Sequence, residues 1–73
     1  MKKLNDVSVR RFYAMCEDIK NSLTSEELNF NVGVACGFAS GLFLTDTVNI
    51  DCYKAMRECI DSASVQSKLG GAY

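Results

Sequence analysis

Four cysteines, at positions 16, 36, 52 and 59, are the residues of this 73-residue chain best suited to chemistry. Nucleophilic catalysis by cysteine usually recruits a base or a nearby cation to generate the thiolate, and histidine, the usual base, is absent. No two cysteines stand in a C-x-x-C arrangement, so a zinc knuckle has no framework either. All four fall at apolar helical positions. The expectation is therefore reduced thiols acting as small buried hydrophobes in a cytoplasmic protein. An export signal would place an apolar run after Met1-Lys2-Lys3, where Asn5, Asp6, Arg10 and Arg11 stand instead.

The carboxylate pairs Glu17/Asp18 and Glu26/Glu27 are neighbours in sequence. Neighbours on a helix point about 100° apart, so such pairs serve surface charge and capping better than shared acid–base work. Gly33, Gly37 and Gly41 form no phosphate loop, since no strand precedes them and no G-K-[ST] follows. No catalytic residue, metal ligand or cofactor is expected.

The glycines have a structural meaning instead. They stand four residues apart inside a stretch, Leu28 to Thr45, that carries no charge. A helix there stacks all three on one face, with Cys36 and Ser40 beside them. Each helical glycine costs about 0.8–1 kcal/mol relative to alanine. Another backbone packed close to that face is the expected compensation, so Gly33, Gly37, Gly41, Cys36 and Ser40 are the candidate helix-packing or oligomer face.

The elements that position these residues are helical throughout. There is no proline and no Asn-Gly or Asp-Gly hairpin signal. Val9, Phe12, Cys16, Ile19 and Leu23 alternate by three and four residues, which predicts a first helix over 7–23, capped by Asp6 or Ser8. Thr24-Ser25-Glu26-Glu27 reads as a capping box opening a second helix over 25–44. Asn49 caps a third over 50–63, with Val48 and Tyr53 placed as a hydrophobic staple. Its buried stripe is expected to hold Cys52 or Tyr53, then Met56, Cys59, Ile60 and Ala63. Its wet face carries Lys54–Glu58 and Arg57–Asp61 pairs at i,i+4. Residues 64–73 read as a helix end and loose tail. The fold class is an all-α, compact three-helix domain, a single domain over 1–73, with the second helix central and apolar nearly all round.

A membrane reading of that second helix is disfavoured. Its firmly apolar part, Phe30 to Leu44, spans roughly 22 Å against a hydrocarbon core of about 30 Å. Glu27 and Asp46 flank it, without an aromatic belt or basic anchor. Nucleic acid is disfavoured too, because the net charge is −1 and the cations are interleaved with carboxylates.

The apolar content, 48% without glycine, exceeds what a small monomer comfortably hides, which points to a homodimer or other small oligomer. Small helical chains without a catalytic constellation commonly act as inhibitors or adaptors of a larger protein complex. Many are encoded by phages or other mobile elements. The expected partner surface is the outer face of helix one, with Arg10, Arg11, Tyr13 and Glu17, since Arg and Tyr are enriched at binding hot spots. Two other readings stand beside it: a nucleotide or small-ligand module with its pocket at an inter-subunit glycine face, and a compact DNA-binding regulator.

Overall fold

Three polar side chains start three helices in the computed structural model, which describes residues 5–67. These are α1 (Asp6–Lys20), α2 (Ser25–Leu44) and α3 (Ile50–Val65), and no strand occurs among the described residues. Asn49 Oδ1 accepts from the Cys52 amide at 2.8 Å, as its position predicts. Thr24 Oγ1 accepts from the Glu27 amide at 3.1 Å, while the Glu27 carboxylate reaches back to the Leu23 amide at 3.0 Å. At α1 the cap is Asn5, not Asp6 or Ser8. Its extended backbone lets Oδ1 accept the Ser8 amide at 2.8 Å, which makes Ser8 the donor and leaves Asp6 in the first turn facing the positive helix end.

The end of α1 also corrects the expected pattern. Asn21 Nδ2 donates to the Glu17 carbonyl at 3.0 Å and Ser22 Oγ to the Asp18 carbonyl at 2.9 Å. These short side chains take up the last carbonyls, so the helix stops at Lys20. Leu23 consequently leaves the seam and is 68% exposed, whereas Ser22 turns inward.

α2 closes with a left-handed residue. The Thr47 amide donates to Leu42 O at 2.8 Å and the Asp46 amide to Phe43 O at 3.1 Å, with Asp46 at φ 58°. That is a Schellman end in which an aspartate occupies the position glycine usually fills. α3 runs two residues past the expected Ala63. Most of the predicted tail, residues 68–73, lies outside the described residues.

The core joins Phe12, Cys16 and Ile19 of α1, Ala35 and Ala39 of α2, Val48, and Met56, Ile60 and Ala63 of α3. Every pair of helices is in contact. The small residues that bring α2 close to its neighbours are Ala35 and Ala39, both fully buried, on the side of α2 away from the glycines. So α2 is covered on one side only, rather than on most sides. Two further expectations change. Cys59 is exposed, because the α3 stripe passes through Met56, Ile60 and Ala63 and leaves it on the edge facing α1. Among the described residues the one ion pair within 4 Å is Lys20–Glu17, at 3.4 Å, and the Arg57 guanidinium bonds to Tyr53 in place of Asp61.

Candidate functional site

The outer face of α2 is the largest feature that the fold leaves unexplained. Phe30, Gly33, Gly37, Gly41 and Leu44 recur at helical spacing with Val34 beside them, and all six are exposed. Phe30 is 70% and Leu44 78% exposed. A methyl group added at Gly33, Gly37 or Gly41 would meet nothing within 4 Å, so no helix of the same chain packs there. None of these three glycines has a positive φ, so backbone conformation does not demand glycine at these positions. Cys36 and Ser40 fall at the border of this face, half-buried toward α3. By length and composition α2 is the one helix among the described residues able to cross a membrane, and little of it is buried.

That border is organised around Tyr53. Its ring stacks on Phe43 with centroids 5.1 Å apart. Arg57 Nη1 donates to its hydroxyl at 3.4 Å, and Ser40 hydrogen-bonds to it from α2. These bonds favour the phenolate, Ser40 first and Arg57 second, and hold the pKa below the usual tyrosine value. The same bond raises Arg57.

The predicted partner strip on α1 is exposed in full: Arg10, Arg11, Tyr13 and Glu17 all face out. Arg10, Tyr13 and Glu17 share one helix face, with Arg11 about 100° round from Arg10. Tyr13 is tilted against Phe12 at 6.2 Å. It also stands at the rim of a groove between α1 and α3 that consists of two adjoining cavities of ≈ 400 and ≈ 210 Å³. Tyr13, Ala55 and Cys59 line both. Three of the four cysteines, Cys16, Cys52 and Cys59, lie along this groove. Burial raises the Cys16 pKa, and the neighbouring Cys59 thiol raises it further.

Sequence reading missed the tie between α1 and α2. Asn31 Nδ2 donates to Ser22 Oγ at 2.9 Å and to the Asp18 carbonyl at 3.2 Å. Asn31 is a polar residue in an otherwise largely apolar stretch, and that polarity was the available signal. The groove left no such signal, because it depends on how α1 and α3 align.

The chain matches no protein-family model, no curated protein and no solved structure at a significant level. The surfaces themselves carry the functional argument.

Proposed function

We propose that the protein is a non-enzymatic, cytoplasmic interaction module that inhibits or adapts a larger protein complex, working as a pair of chains joined through the outer face of α2. The observation that carries this reading is the open glycine face. Among the described residues, eight large apolar side chains are exposed against nine buried apolar residues, a ratio that favours further burial by association. A face of glycines flanked by Phe30, Val34 and Leu44 is self-complementary in shape, since bulky residues of one helix fit beside the glycines of the other. Two-fold pairing is the commonest closure for such surfaces.

Pairing through α2 leaves the α1 strip free for the larger partner. Charge reversal at Arg10 and Arg11 tests that role, because exposed substitutions usually fall within about 0.5 kcal/mol of neutral. Capture of a partner protein from the native host should fall with melting temperature and helical content unchanged. Unchanged capture would move the interface off α1.

The ≈ 400 Å³ cavity supports a second reading, a small-ligand module, with its pocket in the α1/α3 groove rather than at the glycine face. A nucleotide that bound there at 100 times its dissociation constant would add about 2.7 kcal/mol of stability in a thermal-shift assay.

A further inference from the structure

The two cavities fix how α1 and α3 are aligned. The smaller brings Val9 and Phe12 of α1 together with Cys52 and Met56 of α3, and the larger brings Cys16 and Lys20 together with Cys59 and Ala63. Numbers rise in the same sense on both helices, so α1 and α3 run parallel. They keep a nearly constant offset, under which Cys16 stands level with Cys59 across the groove. The residues around this level on α3, Ala55, Ser62 and Ala63, are small. Small residues let two helices approach closely, the condition a disulfide between them requires. Cys59 also contributes, after burial, to the raised pKa of Cys16, in keeping with this alignment.

We propose that Cys16 and Cys59 form a reactive dithiol site that takes low-molecular-weight disulfides such as oxidised glutathione as its oxidant. Cys59 is exposed and attacks first, whereas Cys16, on the other wall of the same groove, is buried. The Cys59 thiolate displaces one glutathione thiolate, giving a mixed disulfide. Cys16 then loses its proton and attacks the Cys59 sulfur, expelling the second glutathione. One S–S bond breaks in the oxidant and one forms in the protein, the two protein sulfurs supply the two electrons, and two thiol glutathiones leave. The bond ties α1 to α3 and narrows the groove that both cysteines line. Cys52, one cavity further along, and Cys36, on α2, are not part of the pair.

The test uses the full chain carrying Cys36→Ser and Cys52→Ser, both at half-buried positions, beside the wild type. Each is incubated with oxidised glutathione, quenched with acid and weighed by mass spectrometry. Both should lose two hydrogens and show one linked peptide pair containing Cys16 and Cys59. Closing a loop of this length should raise the melting temperature by about 10 °C or more, and dithiothreitol should reverse it. A stable glutathionyl adduct on Cys59 with no loss of two hydrogens would overturn the proposal. So would a wild-type link through Cys36 or Cys52. Should the double variant not fold, the wild-type peptide map alone decides between the pairings.

Discussion

Replacing Gly33, Gly37 and Gly41 together by alanine should stabilise the single chain. Each site has helical backbone and open space where a methyl group would go, so no steric term opposes the change. Alanine restricts the unfolded chain and favours the helix, which contributes about 0.4–1 kcal/mol at a compatible site. Three independent sites give about 1–3 kcal/mol. For a domain of this size that corresponds to a rise in melting temperature of roughly 5–20 °C. The assay is urea unfolding followed by helical circular dichroism at several protein concentrations. At the lowest concentration, where the chain is single, the triple variant should have the higher midpoint. At higher concentration the wild type should gain on it, because association adds stability by mass action and the added methyls hold paired helices apart. A triple variant that is less stable at the lowest concentration would refute the reasoning, since it would mean that the glycines are packed within one chain.

Three further outcomes follow from local contacts. Asn31→Ala should cost about 0.5–1.5 kcal/mol in urea unfolding, because the buried Ser22 hydroxyl loses the donor it accepts from and keeps only its own bond to the Asp18 carbonyl, while exposed Asn29→Ala should cost far less. Asp46→Gly should add about 0.5–1 kcal/mol by relieving a left-handed aspartate at φ 58°. Tyr53 should ionise below the usual tyrosine range in an ultraviolet titration, and Ser40→Ala should move it back up. Because its native pKa is lowered, ionisation of Tyr53 contributes no stability at neutral pH and adds some only as pH rises from that pKa to the unfolded value.

The helices were legible because their signals are local. Thr24 and Asn49 announce their own helix starts, and the spacing of Phe12, Cys16 and Ile19 marks one buried stripe. What sequence left open was which side of α2 faces inward. Ala35 and Ala39 are small, as the glycines opposite them are, and periodicity cannot rank two small faces on a helix apolar nearly all round. Leu23 was misplaced because Asn21 and Ser22 end α1 through side-chain bonds that apolar spacing does not register. The cysteine pairing was hidden for a different reason. Cys16 and Cys59 lie on helices joined through a third, and only the packed bundle sets their alignment.

The pairing role of α2 is tested most directly by sedimentation equilibrium of the wild type and of Gly37→Leu at micromolar concentrations. The wild type should sediment at twice the 8.0 kDa chain mass. Gly37→Leu, whose Cβ meets nothing within 4 Å in the single chain, should sediment at 8.0 kDa with its helical content intact. A wild type that stays at 8.0 kDa at every concentration, or a Gly37→Leu variant that still pairs, would contradict the assignment of the glycine face as the surface on which two copies meet.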